Sequence, residues 1–90
     1  MLKFESTVKF QKDIKRIKKQ GLDITKIHTV VDMLLARQKL PEKLKDHALH
    51  GRYEGCRECH IQPDLLLIYS VDGKRLILTA IRTGSHSELF

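Results

Sequence analysis

The 90-residue sequence has no tryptophan, only two cysteines, two prolines and five glycines. So few glycines and prolines argue against a low-complexity or disordered chain. Two cysteines cannot build a disulfide scaffold, and the N-terminal segment lacks the apolar stretch of a secretory signal, so we expect reduced thiols and a cytoplasmic protein. No apolar run approaches the roughly 18 to 20 residues of a membrane span. These absences argue against membrane proteins and disulfide-rich secreted domains.

What the sequence does contain is typical of a soluble globular chain, with 41% hydrophobic and 31% charged residues. A chain of this length is too short for two independent hydrophobic cores, because each half would bury too little apolar surface. We therefore expect residues 1–90 to form a single small domain.

Basic residues outnumber acidic ones by 17 to 11, which gives a net charge of +6. The excess is concentrated near the N-terminus, where a basic stripe consists of Lys3, Lys9, Lys12, Lys15, Arg16, Lys18 and Lys19. Such a stripe attracts a nucleic acid or an acidic protein, but it is also typical of a solvated helix face. Charge alone does not choose between these interpretations.

Hydrophobic periodicity predicts a strand followed by two helices in the first half of the chain. Residues 2–5 alternate apolar and polar side chains, and Ser6 is a candidate helix cap. Residues 7–20 carry apolar side chains at helical spacing. After Asp23, a second candidate cap, the pattern predicts another helix over residues 24–38 that lies antiparallel to the first.

The second half predicts three strands, over residues 55–61, 64–71 and 75–81. Tight turns at residues 62–63 and 72–73 make them an antiparallel meander. The middle strand is apolar on both faces, so we expect it at the centre of the sheet, with the helices on one side and another layer, such as a partner, on the other. The sequence thus predicts an α+β fold of β-α-α-β-β-β order, with two antiparallel helices packed on a mainly antiparallel sheet.

Imidazole side chains are concentrated in this second half, and strand alternation groups some of them with acids. Glu58 and His60 share a face of their strand, and the turn after it returns Asp64 towards His60. Arg82 follows the last strand on the face of Ala80, just before His86. We therefore expect imidazoles, carboxylates and a guanidinium to meet.

Such a set suits RNA cleavage without a metal. An imidazole with a pKa near 6.5 can take the proton of a 2′-hydroxyl or give one to the leaving oxygen, while an arginine holds the phosphorane oxygens. Each residue also has an ordinary structural explanation. His47 can be a solvent-exposed loop residue, His60 a satisfied strand residue, and Arg82 a partner of Glu88.

Residues 56–60 also match the pattern C-x-x-C-H, which occurs in haem c attachment and, with further histidines such as His47 and His50, in zinc sites. Haem attachment needs an oxidising compartment, and an extended strand directs Cys56 and Cys59 to opposite faces. A zinc site would need the strand to break at Gly55. We expect Cys59 to be a core residue instead.

Four segments together resemble the YafQ branch of the RelE/ParE toxins: residues 45–49 (KDHAL), 57–60 (RECH), 63–69 (PDLLLIY) and 82–90 (RTGSHSELF). The resemblance covers almost the whole chain and includes its β-α-α-β-β-β order. It implies a bacterial type II toxin, an endoribonuclease that cuts mRNA in the ribosomal A site. It also implies a cognate antitoxin of the DinJ/RelB type as partner, no cofactor, no membrane, and contact with DNA only through the antitoxin complex.

The resemblance also assigns roles to individual residues. His47, His60, Asp64 and His86 resemble the catalytic group, and Arg82 the arginine that contacts the phosphate. Substrate-binding roles fall to Phe90, which would stack on a base, to Glu58, where some members carry Asp, and to the basic stripe through Lys15, Arg16 and Lys19.

The residues and the resemblance agree on attack by the 2′-oxygen, which leaves a 2′,3′-cyclic phosphate and a 5′-hydroxyl. We expect His86 to be the acid and His60 with Asp64 the base, assisted by His47; the reverse assignment stays open. Two alternatives from other classes also remain: a non-catalytic ParE-like inhibitor of DNA gyrase and a small zinc-binding nucleic-acid module.

Overall fold

Five strands and three helices form the fold in a computed structural model that describes residues 1–90. In chain order they are β1 (Lys3–Ser6), α1 (Val8–Lys19), α2 (Thr25–Leu35), β2 (His47–Ala48), β3 (Arg57–Gln62), β4 (Leu65–Asp72), β5 (Ile77–Gly84) and α3 (His86–Leu89). Two single 3₁₀ turns, Glu42–Leu44 and Gly51–Tyr53, flank β2. None of the helices has the length and hydrophobicity needed to cross a bilayer.

The strands form one sheet in the order β1-β5-β4-β3-β2. β1 runs parallel to β5, and every other pair is antiparallel. The predicted mainly antiparallel sheet with β4 at its centre is therefore confirmed. β2 was not predicted, because two residues in a polar segment carry no periodicity; it nevertheless places His47 opposite Glu58 of β3.

The first helix begins one residue later than predicted. The hydroxyl of Thr7, not of Ser6, accepts the N–H of Phe10 at 3.0 Å. The same hydroxyl donates to the carbonyl of Ile81 at 2.6 Å. Since one side chain caps α1 and binds β5, the start of α1 is fixed to an inner strand of the sheet.

Helix α2 is shorter than predicted and ends at Leu35. Asp23 does contribute at its start, where the carboxylate accepts the N–H of Thr25 at 2.8 Å. At its end Arg37 adopts a left-handed conformation with φ of 58°, and the N–H of Gln38 donates to the carbonyl of Met33. This Schellman motif stops the helix after the last apolar residue of its stripe and before the predicted end at residue 38.

The sheet is covered on both faces by this chain. The main core lies between the sheet and the two long helices, and its most buried members are Ile17, Ile27, Cys59, Leu67 and Leu78. A smaller core on the other face joins Leu66, Ile68 and Leu89. The second covering layer that β4 requires is thus supplied by α3, the C-terminal helix.

A β-bulge between β4 and β5 changes which residues share a face. Tyr69 lies opposite Ala80, whereas Ile68 lies opposite Arg82, so Ile81 is the extra residue. Strict alternation, which placed Arg82 on the face of Ala80, is therefore wrong at this point. The bulge brings Arg82 into register with Ile68 instead.

Candidate active site

Three side chains of β2 and β3 lie close together: His47, Glu58 and His60. We call them the imidazole cluster. Glu58 Oε1 lies 3.3 Å from His60 Nε2 and 3.8 Å from His47 Nε2. The imidazole rings are 6.2 Å apart between centroids. Glu58 is only 4% exposed, while the side chain of His47 is 50% exposed. A buried carboxylate thus lies beneath two imidazoles that substrate can reach.

The hydrogen bonding of His47 fixes which of its nitrogens carries a proton. Its Nδ1 lies 2.7 Å from the carbonyl oxygen of Lys45, which can only accept, so Nδ1 is the donor. Lys45 presents this carbonyl from a left-handed conformation with φ of 51° and ψ of 44°. In the neutral ring Nε2 is therefore free to accept a proton.

Asp64 is not the carboxylate beside His60. It is exposed in the turn between β3 and β4, and it lines the same groove as His60 without an ion pair to it. The reason is a second irregularity: His60 pairs with Leu66 but Gln62 pairs with Leu65. The predicted cluster of three is correct for Glu58 and His60, and Glu58 is the closer acid.

On the other side of β4 lies the arginine network, which consists of Asp13, Arg16, Arg82 and Glu88. Asp13 is 2% exposed and accepts from Arg82 Nε at 2.7 Å and Arg82 Nη2 at 3.1 Å. It also accepts from Arg16 Nη1 at 2.7 Å and from the backbone N–H of Thr83 at 3.1 Å. Burial would raise the pKa of Asp13, but the hydrogen bonds from the two arginines outweigh it, and the pKa lies below its ordinary value.

Sequence reasoning missed Asp13, although a signal was present. Phe10, Asp13 and Ile17 follow helical spacing on one face of α1 and all three are buried. An acid within an apolar stripe needs a buried cationic partner. Arg82, which was predicted to contact phosphate or to pair with Glu88, is that partner.

Arg16 is directed inward, so its place in the exposed basic stripe is wrong. Besides Asp13, its guanidinium reaches the carbonyl of Thr83 at 3.1 Å. Its Nε lies 2.9 Å from Glu88 Oε2, an ion pair without the alignment of a hydrogen bond. Gly84 permits this approach, because a Cβ there would lie 2.6 Å from Arg16 Nη2. The neighbouring Lys15 and Lys19 are exposed, as the stripe requires.

The short helix α3 is held at both ends and carries one predicted site residue, with a second directly after it. Ser85 and Glu88 form a reciprocal capping box at its start, and their hydrogen bonds lower the pKa of Glu88. At its end the carbonyl of Leu89 accepts from Arg52 and Tyr53. The helix presents the exposed His86, whose ring stacks on that of Phe90 at 4.8 Å.

The register of the sheet relates these parts to one another. Glu58 and Arg82 both lie opposite Ile68, and His60 and Gly84 both lie opposite Leu66. The imidazole cluster and Arg82 therefore flank β4 at the same level, two strand spacings or roughly 10 Å apart. His86 follows Gly84 by two residues, so the structure brings the predicted set to one end of the sheet.

The two cysteines lie on opposite faces of the sheet. Cys59 is fully buried in the main core, where burial raises its pKa to about 12, and Cys56 packs against the smaller core. Cys59 as a core residue is confirmed, and the two thiols cannot bind one zinc ion. No three His, Cys, Asp or Glu side chains are arranged to hold a metal ion.

Known proteins resemble this chain over its whole length. An mRNA interferase toxin YafQ of Escherichia coli K12 is 36% identical over 87 residues, which are 96% of this chain and 92% of that protein. A metal-bound toxin from Helicobacter pylori is 46% identical with a TM-score of 0.93, and covers 100% of both chains.

The toxin in the E. coli DinJ–YafQ complex is 33% identical with a TM-score of 0.90, over 100% of this chain and 99% of that one. Residues 2–90 match the family described as "Bacterial toxin of type II toxin-antitoxin system, YafQ". Sequence, fold and site geometry lead to one conclusion: the chain belongs to the YafQ family of bacterial type II toxins.

Proposed function

We propose that this toxin is an endoribonuclease, an mRNA interferase that cuts mRNA on the ribosome by acid–base catalysis from its own side chains. The proposal includes membership of the wider RelE/ParE superfamily. One observation supports the proposal most directly. Two accessible imidazoles lie on one side of β4, and a fixed guanidinium lies on the other. Its relatives from E. coli are named as mRNA interferases.

In the proposed reaction the 2′-oxygen forms a bond to the adjacent phosphorus and the bond from phosphorus to the 5′-oxygen breaks. His60, oriented by Glu58 and assisted by His47, takes the proton of the 2′-hydroxyl. His86 gives a proton to the leaving 5′-oxygen. The products are a 2′,3′-cyclic phosphate and a 5′-hydroxyl, with Asp64 placed at the edge of the site beside the incoming strand.

Arg82 stabilises the charge on the phosphorane. Asp13 accepts from its Nε and from one N–H of Nη2, and Tyr53 lies beside the same guanidinium, which leaves further N–H groups for a ligand. These remaining N–H groups can donate to phosphate oxygens from a fixed position, so little reorganisation is needed during reaction. Phe90, exposed and stacked on His86, can extend the stack to a base of the RNA.

The proposed partners rest on the complex formed by a relative and on the exposed lysines of α1. A DinJ/RelB-like antitoxin silences the toxin, which acts in the cytoplasm, and any contact with DNA runs through the toxin–antitoxin complex. Lys15 and Lys19 contact ribosomal RNA, whereas Arg16 is engaged inside the arginine network.

The proposal is tested with a translated message, purified ribosomes and the wild-type toxin. We expect toeprints that show cuts in the ribosomal A site, with cyclic phosphate and 5′-hydroxyl ends identified by mass spectrometry. Inhibition of DNA gyrase without cut transcripts would support the ParE-like alternative and contradict the proposal.

A further inference from the structure

Next to the imidazole cluster lies an open groove of about 880 Å³ that has no role so far. Its cationic residues are Lys26 of α2 and Lys43 and Lys45 around the first 3₁₀ turn, and its inner wall includes His60 and Asp64. We call it the lysine groove. Two segments of the chain, the start of α2 and the first 3₁₀ turn, thus place three ammonium groups beside the catalytic imidazoles.

The three lysines are free to bind a ligand. None of them takes part in an ion pair, whereas Arg16, Arg57 and Arg82 are all paired with carboxylates. The fold therefore uses arginines for internal contacts and leaves these lysines unneutralised. With Asp64 as the only acid of the groove, the local excess is two positive charges.

The position of the groove indicates its ligand. Arg82 and the rings of Tyr53 and Phe90 lie across β4 from His60, so an RNA strand that spans the site passes from them towards the imidazole cluster. Beyond His60 the strand meets the lysine groove. Lys45 also links the two sites directly, because its carbonyl holds His47.

We propose that the lysine groove binds the backbone phosphates of single-stranded RNA on one side of the scissile linkage. This inference rests on the proposed ribonuclease function and adds a part of the substrate path to it. Lysine contacts with phosphates carry no base information, so they strengthen binding for every sequence and weaken steeply with salt.

The test compares two variants with equal change of charge. In the groove variant Lys26, Lys43 and Lys45 are replaced by Gln; in the control Lys3, Lys74 and Arg75 are replaced by Gln. The control residues are exposed at the hairpin end of β4 and β5, opposite the end that carries the site. The probe is a short 2′-O-methyl RNA, which cannot be cut, and binding is followed by fluorescence anisotropy over a range of salt.

For wild-type and control protein we expect the same slope of log affinity against log salt. The groove variant should lose about 2 units of slope, since each phosphate contact to a single strand contributes roughly 0.7. In the wild type, amide NMR signals of Lys43, Lys45 and Gln62 should shift on RNA titration. Should the triple variant unfold, Lys43→Gln alone, in an exposed turn, should lose about 0.7 units.

Equal slopes for groove and control variants would overturn the inference. A second outcome would also overturn it: the groove variant loses affinity for a poly-glutamate peptide but not for RNA. That result would identify a protein-docking surface. Wild-type protein that binds RNA through the groove but cuts no message during translation would contradict the proposed function and leave the groove intact.

Discussion

The imidazole cluster and the arginine network flank the same strand, yet they are built in opposite ways. In the cluster a buried carboxylate lies beneath two accessible imidazoles, at 3.3 and 3.8 Å. In the network a buried carboxylate is surrounded by donors at 2.7 to 3.1 Å. Groups that exchange protons with substrate need access, whereas a group that stabilises charge works best when it is held still.

The largest effect is expected on the accessible side, for His86→Ala. If His86 is the general acid, the cleavage rate should fall by about 10²- to 10⁴-fold. Because the residue is exposed, the free energy of unfolding should change by no more than about 0.5 kcal/mol. Single-turnover cleavage on ribosomes, urea unfolding and antitoxin binding measure the three quantities.

The control for this experiment is His50→Ala. His50 is exposed and its only ionic partner is Glu54, outside the site, so cleavage should stay at the wild-type rate. Full cleavage by His86→Ala would remove that residue from the mechanism.

On the buried side, Asp13→Asn should damage both stability and activity. Loss of one partner of a buried ion pair costs roughly 3 kcal/mol, which we expect as a lower urea midpoint. Arg82 would lose its fixed position, and a displacement of this kind costs roughly 10²-fold in rate. Asp32→Asn, an exposed acid on α2, is the matched control. Wild-type stability in Asp13→Asn would contradict the comparison between the two regions.

The stability contributed by the arginine network should also depend on pH in the acidic range. The pKa of Asp13 is lowered in the folded state, so its stabilising effect is complete above the unfolded-state value of about 3.9 and is lost as the pH falls towards the folded-state value. The stability gap between wild type and Asp13→Asn should therefore narrow as the pH falls through and below the unfolded-state value. Urea midpoints at a series of pH values measure it, and a constant gap would argue against the ionised network.

The smallest effects distinguish two neighbours on α1. Arg16→Gln should lower stability by about 1 kcal/mol, a modest value because the side chain is one-third exposed. Lys15→Gln should leave stability unchanged and lower the salt slope of ribosome binding by about 0.7 to 0.9 units. Thermal unfolding measures the stability, and ribosome pelleting measures the salt slope. A lower salt slope and unchanged stability for Arg16→Gln would show instead that Arg16 belongs to the exposed basic stripe.

Much of the fold was predictable because it depends on local patterns. The helical spacing in α1, the doubly apolar β4 and the shared face of Glu58 and His60 follow from periodicity. The two-residue β2 has no period, and the extra residue Ile81 leaves no mark in the alternation of β5. The pairing of Asp13 with Arg82 joins positions 69 residues apart, which no local pattern encodes.

Gly84, where φ is +152°, is also a position at which mutation can make cells resistant to this toxin. A side chain there would strain the backbone, displace the end of Arg16 and approach Glu88 Oε1 to 3.0 Å, so substitution should weaken the contact between the first helix and the last. Survivors altered at an imidazole would still accumulate a harmless toxin that occupies the antitoxin. Survivors altered at Gly84 would lose the protein itself to proteolysis, and an immunoblot of the colonies would tell the two kinds apart.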